Sequence, residues 1–454
     1  MLLGVTVGVS MWKTPIRSSH LGGGMTGLPS VGTVLVAGLM AMIALAGCDP
    51  GIVWPPDDPP NNGDDIPAEY VGAITCAACH PAPGSLHARH GHSHALKVVE
   101  GIAPEYPATP GLGEAPNPPA GLDWSDISFV IGGSAKSALF VDTAGFLLTD
   151  GTAGTFTQYN LANPAALLPA GFVPFKPEQV APHPFGEDCF RCHTTGPESL
   201  AMNGGRRQGN LPGIEGTWSQ AGVQCEACHG PGSRHLLDPA AGKLTVDSSG
   251  GICATCHVNQ DEPSEIAVEG KCILGRQQYA EFAASPHQGF SCTFCHNPHA
   301  SILRDRENGL RNTCGNCHLD FDTASHEGNV FQWGDYVEAV RCESCHMPLV
   351  ASNGSCRDVE LPRGEIVSIG DTRSHLVHID TSALDPTDIL SADGTRVRLD
   401  EQGRAGVPVS CVCQRCHHGL GNAFTLTAAE AGEIGRRLHS TEMTEAVTAG
   451  RHRN

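Results

Sequence analysis

The chain has 454 residues, with 20 Cys, 23 His, and 28 Lys and Arg against 48 Asp and Glu, for a net charge of −20. That acidity excludes a nucleic-acid binder, which needs a basic face, and the length excludes a disulfide-stapled miniprotein. Apolar residues are 40% and aromatics only 5%, beside 55 Gly and 33 Pro; something other than aliphatic side chains therefore fills part of the interior, and regular elements are short.

Residues 31–46 are the one sustained apolar run. It is shorter than the roughly 20 residues of a spanning helix, which excludes a multi-span membrane protein and suits a secretory signal. Lys13 and Arg17 supply the basic flank, and the run ends in Leu45-Ala46-Gly47-Cys48. That ending resembles a bacterial lipoprotein signal, in which the Cys is lipidated and becomes the first mature residue; a plain signal with an incidental Cys48 is the alternative. Residues 1–47 are thus read as a lipoprotein signal peptide and the Pro- and Asp-rich 48–69 as a tether without a core. The expected location is the periplasm or cell envelope, with a lipid anchor on Cys48. Cleavage removes Lys13 and Arg17 and takes the net charge to −22.

From residue 70 onward the chain repeats Cys-x-x-Cys-His eight times: Cys76-Cys79-His80, Cys189-Cys192-His193, Cys225-Cys228-His229, Cys253-Cys256-His257, Cys292-Cys295-His296, Cys314-Cys317-His318, Cys342-Cys345-His346 and Cys413-Cys416-His417. Two thiols two residues apart on one helical turn match the two vinyl groups of a haem, and the following His lies under the iron. Zinc ribbons use paired Cys-x-x-Cys units but do not require a His after each second Cys, and disulfides leave the His unexplained. The pattern predicts eight covalently attached haem c groups, consistent with an export signal.

Residues 70–120 form the first haem segment. Residues 121–180 hold runs at Ile127–Ile131, Ala138–Val141 and Phe146–Thr149 separated by Gly-Gly, Asp-Thr-Ala-Gly and Asp-Gly turn signals, which predict three or four short antiparallel strands in a β-rich insert. Residues 181–350 carry six motifs, too little chain to wrap each haem alone, so neighbouring haems share walls. Residues 351–454 contain the eighth motif; 347–412 reads as loop apart from a hairpin signal at Ser391-Ala-Asp-Gly-Thr395, and Thr427-Ala-Ala-Glu430 is a capping box opening a helix over about 428–439. The expected fold class is a multihaem cytochrome c: mainly short α-helices and irregular loops around stacked haems, with the small β-rich insert.

Low-spin haem needs a second axial ligand, and the surplus of His outside the motifs allows His on both faces. The candidates are His92, His183, His235, His287, His299, His326, His375 and His439, several of them close to a motif. Met347 directly follows His346 and cannot reach the opposite face of the same iron. Of the remaining thiols, a Cys272–Cys356 disulfide is permitted outside the cytoplasm, which leaves Cys411 unpaired and without a catalytic role.

Thr75-Cys-Ala-Ala-Cys-His80 with Gly91-His92, and Cys292-Thr-Phe-Cys-His-Asn-Pro-His299, resemble elements of bacterial multihaem cytochromes of the cytochrome c-552/c-554 type. Trp124–Gly133, Gln158-Tyr-Asn160, Gly222–Gly232 and Arg373-Ser-His375 resemble stretches of an octahaem family, and the likeness covers most of residues 70–440. It implies distal roles for His92 and His299; His87, where relatives carry an aromatic residue, is a rival to His92. The favoured reading is an electron carrier, and the net charge of −22 predicts redox partners that present basic docking patches. The alternative is a periplasmic oxidoreductase acting on a small nitrogen or sulfur compound of the hydroxylamine, nitrite or tetrathionate type, with one open haem. A subunit of a polymerised cytochrome wire is the third possibility. No Lys replaces a motif His, the mark of some such enzymes.

Overall fold

A computed structural model describes residues 67–108, 117–240, 244–259, 262–319, 326, 328–334, 336–364 and 366–439. The signal peptide, Cys48 and nearly all of the tether lie outside these residues. No helix among the described residues is long and apolar enough to cross a membrane.

Seven short strands form an antiparallel sheet: β1 (Leu96–Val98), β2 (Ile127–Gly132), β3 (Ser137–Asp142), β4 (Phe146–Leu147), β5 (Gln158–Asn160), β6 (Gly171–Val173) and β7 (His183–Pro184). Their order is β1-β2-β3-β4-β7, with β5 also on β3 and β6 on β5. The sheet thus takes β1 and β7 from outside 121–180. Gly132 has φ 72° and a Cβ there would lie 2.6 Å from the Ser137 carbonyl oxygen, so only glycine permits this turn. Alternation along β2 buries both faces. Phe129 and Ile131 join Leu96, Val141, Phe185, Phe190 and Trp218, whereas Ile127 and Val130 join Ala138 and Phe140. Phe190 is the second residue of a haem motif. It packs 6.2 Å from Phe185 and 5.8 Å from Trp218, centroid to centroid, and so fixes the helix Glu187–His193 to the sheet.

The longest element corrects the loop expected at 347–412. Strand Leu349–Glu360 pairs antiparallel with Ile366–Arg373, and Cys272–Leu274 adds parallel to the first of these. Asn353-Gly354-Ser355 reads as a turn in sequence. In the structure it is an irregularity inside a strand, where the register shifts between Ala351 and Cys356. Buried Asp371 makes this possible by accepting the backbone N–H groups of Asn353 (2.8 Å), Gly354 (3.0 Å) and Ser355 (3.2 Å). The Gly354 carbonyl accepts in turn from Gln158 Nε2 at 2.9 Å, which docks the first sheet on the hairpin. The Cys272–Cys356 disulfide, with Cα atoms 6.0 Å apart, ties the added strand to the bulge. Cys411 is buried and free, and burial pushes its thiol up to about 12, so it stays protonated.

At the C-terminal end the Thr427 side chain accepts from Glu430 N while the Glu430 carboxylate accepts from Thr427 N at 2.8 Å. The helix they open runs Ala428–Gly435. It stops short of the expected 439, because two glycines (Gly432, Gly435) weaken its last turn, and His439 follows in a turn.

Candidate cofactor-binding site

Every Cys-x-x-Cys lies on or at the edge of a single helical turn. The turns are Ala73–Cys79, Glu187–His193, Cys225–His229, Gly251–Ala254, Cys292–Cys295, Cys314–Asn316, Cys342–His346 and Val409–Val412, the last leading directly into Cys413. This brings the two thiols of each motif to one side of the turn and sets the His beside them. All sixteen motif thiols are free of disulfides. Among the described residues no three His, Cys, Asp or Glu side chains converge as a metal-holding group.

Imidazoles pair instead. His80 stands 6.2 Å from His235, His257 6.0 Å from His92, His229 6.1 Å from His299, and His318 6.0 Å from His287, all between ring centroids. His296 stands 6.2 Å from His375, His417 6.1 Å from His326, and His346 6.0 Å from His439. Metal–imidazole bonds are about 2.0–2.1 Å, so two rings trans across one ion hold their centroids roughly 6 Å apart. Seven motif His thus face a second His at the spacing of a shared iron.

His183 departs from its expected role. Its ring lies on β7 beside Lys176, with Nε2 3.1 Å from Lys176 Nζ, and it makes no ring contact with a motif His. The extended strand aims it at the Phe175-Lys176 loop. His87 does not displace His92 either: it stacks on His90 at 6.0 Å. His90 Nδ1 accepts the His92 backbone N–H at 3.0 Å, capping the 3₁₀ turn Gly91–His94 that presents His92.

The environment favours neutral, iron-binding imidazole. Burial pushes His375 down to about 3 and lowers His193, His296, His326, His346 and His417 from the ordinary histidine value. Nδ1–H of four motif His donates to backbone carbonyls: His193 to Ala95 (2.9 Å), His229 to Thr245 (2.7 Å), His346 to Val377 (2.9 Å) and His417 to Phe424 (2.8 Å). His257 Nδ1 bonds Gln278 Oε1 at 3.0 Å. Each bond fixes the tautomer that leaves Nε2 for metal. No sequence signal marks these acceptors, because they are carbonyls supplied by distant segments.

Thiols of different motifs also meet. Cys76 lies close to Cys225, Cys192 to Cys256, Cys253 to Cys292 and Cys314 to Cys342. Cys228 is near Cys256, Cys295 near Cys317, and Cys345 near Cys413. Motifs one, three, four, five, six, seven and eight thereby form a continuous series, and motif two joins it at motif four. Glu226, inside the third motif, holds the first: its buried carboxylate accepts from Val71 N, Gly72 N, Gly232 N and Gln220 Nε2 at 2.8–2.9 Å.

Residues 176–230 match the family model "Cytochrome c554 and c-prime". The multiheme cytochrome MtrA of Shewanella baltica is 24% identical over 187 residues, covering 30% of this chain and 54% of that protein. The chain therefore spans about half the length of this curated relative. The octaheme sulfite reductase MccA of Wolinella succinogenes shares the fold at TM-score 0.50, with 16% identity over 83% of this chain and 70% of that one. The outer cell wall cytochrome OcwA superposes at TM-score 0.45, with 15% identity over 85% of this chain and 92% of that one.

The chain is a multihaem c-type cytochrome. The side chains of the cytochrome fit haem c on the two tests the structure offers: paired free thiols on one turn, and imidazoles opposed at metal-sharing distance. With haem c bound, the paired thiols would carry its thioether links, and the motif His and the facing His would hold its iron.

Proposed function

We propose that the protein is an extracytoplasmic electron relay carrying eight haem c groups, attached at Cys76 and Cys79, Cys189 and Cys192, Cys225 and Cys228, Cys253 and Cys256, Cys292 and Cys295, Cys314 and Cys317, Cys342 and Cys345, and Cys413 and Cys416. Haem iron supplies the one-electron change; the chain supplies ligation, spacing and electrostatics. The observation that carries the reading is the series of seven opposed imidazole pairs, linked motif to motif by thiol contacts. Imidazole on both faces keeps potentials below those of His/Met sites and leaves those positions closed to substrate.

Partners are redox proteins with basic docking patches, since the net charge of −20 favours steered, salt-sensitive encounter. Lipid on Cys48 holds the protein at a bacterial membrane, and Cys48→Ser is expected to release it into the soluble fraction. The test of the main reading is an intact mass with a pyridine haemochrome assay, followed by a potentiometric titration. Eight haems per chain with reversible low-potential reduction is the expected result. A mass matching bare polypeptide, or no reversible reduction, overturns it.

A further inference from the structure

We propose that the relay is polarised by buried charge of opposite sign at its two ends. Electrons enter at the first and third motifs, where Glu226 sets the lowest potential, and leave at the seventh and eighth, where Arg415 and Arg373 set the highest. This rests on the electron-relay reading above and adds a direction to it. Each step moves one electron from a ferrous haem to a ferric neighbour. A reduced donor protein supplies the electron at one end, and an oxidised acceptor protein removes it at the other.

A haem gains one negative charge on reduction. A fixed anion nearby therefore favours the ferric state, and a fixed cation favours the ferrous state. The effect is large only where water does not screen it. Four motifs carry a charged residue between their two Cys: Arg191, Glu226, Glu343 and Arg415. Arg191 is exposed, and Glu343 is matched by Arg306 at 2.6 Å. Glu226 and Arg415 are only 3% and 4% exposed, and they lie at opposite ends of the motif series. Two other buried carboxylates lie away from those ends: Glu281 bonds His375 N, opposite the fifth motif, and Asp371 holds the hairpin bulge.

Glu226 is an uncompensated anion. Its Oε1 accepts from Val71 N and Gly232 N, and its Oε2 from Gly72 N and Gln220 Nε2, all at 2.8–2.9 Å. These neutral donors fill the acceptor positions of an ionised carboxylate without cancelling its charge. Among the described residues no Lys or Arg stands within ion-pair distance of it. Its bonds run from the third motif to the two residues that precede the helix of the first, so both sites feel it. At the other end the balance is reversed. Glu338 Oε2 accepts from Arg415 Nη2 at 2.7 Å, and Oε1 accepts from Arg373 Nη2 at 3.3 Å. Two guanidinium groups meet one carboxylate, which leaves one positive charge in excess. Half-buried Arg373 also donates through Nη1 to the Glu343 and Met347 carbonyls at 2.8 Å, and Ser344 Oγ donates to Glu338 at 2.7 Å. Those contacts seat the cluster on the seventh motif, while Arg415 lies between Cys413 and Cys416 of the eighth. Electrons run from low potential to high, and hence from the Glu226 end to the Arg415 end.

The experiment is a potentiometric titration of fully loaded protein, checked first for eight haems per chain and reversible reduction. A failure of that check counts against the relay itself, not against its direction. Glu226→Gln removes the anion, and Gln220→Lys places a cation beside it. Each is expected to raise the lowest midpoint by about tenfold in the reduction equilibrium, equivalent to about 59 mV for one electron, with the highest midpoint unmoved. Gln220→Lys keeps the Glu226 carboxylate, and it decides the outcome if Glu226→Gln loads poorly. At the other end, Arg373→Gln is expected to lower the highest midpoint and Glu338→Gln to raise it, with the lowest in place. Loosened packing has no reason to give opposite signs. A lowest midpoint unmoved by Glu226→Gln and Gln220→Lys overturns the polarity. So does a highest midpoint that the other two substitutions leave in place or move in the same direction.

Discussion

Glu338 shows how strongly a single carboxylate is used in this molecule. Burial acts to raise its pKa, but the Arg415 guanidinium at 2.7 Å, with hydrogen bonds from Tyr336 and Ser344, holds it down at about 2 against an ordinary value of 4.5. A carboxyl depressed in the folded state contributes stability above the unfolded value, and that contribution is lost as pH falls from 4.5 toward 2. Glu338→Gln is therefore expected to cost about 3 kcal/mol at pH 7. The loss shrinks by more than half at pH 3, read as the difference in guanidinium midpoint from the wild type. His375 offers a spectroscopic counterpart. Its ring faces His296 at 6.2 Å, so His375→Ala is expected to add one high-spin component to the paramagnetic resonance spectrum; an unchanged spectrum removes it from the ligand set. Imidazoles that face a motif His were readable in sequence where they stood beside a motif or in a Gly-His or Pro-His pair, as His92 and His299 do. Which ring faces which was not, because partners such as His80 and His235 are far apart in the chain. His183 misled because its position before a motif looked like that of a ligand, while its strand points it at Lys176.

Short helical turns need outside help to stay placed, since a turn of four to seven residues has little stability of its own. Glu226 gives that help to the first motif by accepting backbone N–H groups of Val71, Gly72 and Gly232. Glu226→Ala leaves these buried donors unpaired, at a local cost of about 3 kcal/mol. The expected outcome is faster hydrogen exchange and proteolysis across residues 67–80 with an unchanged haem count; unchanged protection there would refute the clamp. Capping and turn chemistry made some elements visible beforehand, as with the Thr427–Glu430 box and the Gly-Gly turn after Ile131. The long hairpin was hidden by Asn353-Gly354, whose turn signature is overridden by an Asp371 carboxylate eighteen residues along the chain from Asn353. Local propensity carries no trace of such a partner.

The disulfide acts across the assembly, closing a sequence separation of 84 residues. Chain-entropy arguments assign such a loop about 4–5 kcal/mol, and Cys272→Ser with Cys356→Ser is expected to lower the thermal midpoint while leaving the haem spectrum intact. The architecture as a whole was readable only as a string of cofactor sites. The motif spacing showed that neighbouring haems must share walls, but not that the second motif leaves the line at the fourth. Buried apolar side chains among the described residues fall into five separate clusters. Such a chain depends on its prosthetic groups to join those clusters. The expected consequence is an ordered assembly, in which haem loading precedes consolidation, each porphyrin serves as a scaffold for the next stretch of polypeptide, and chains left without haem are more readily proteolysed.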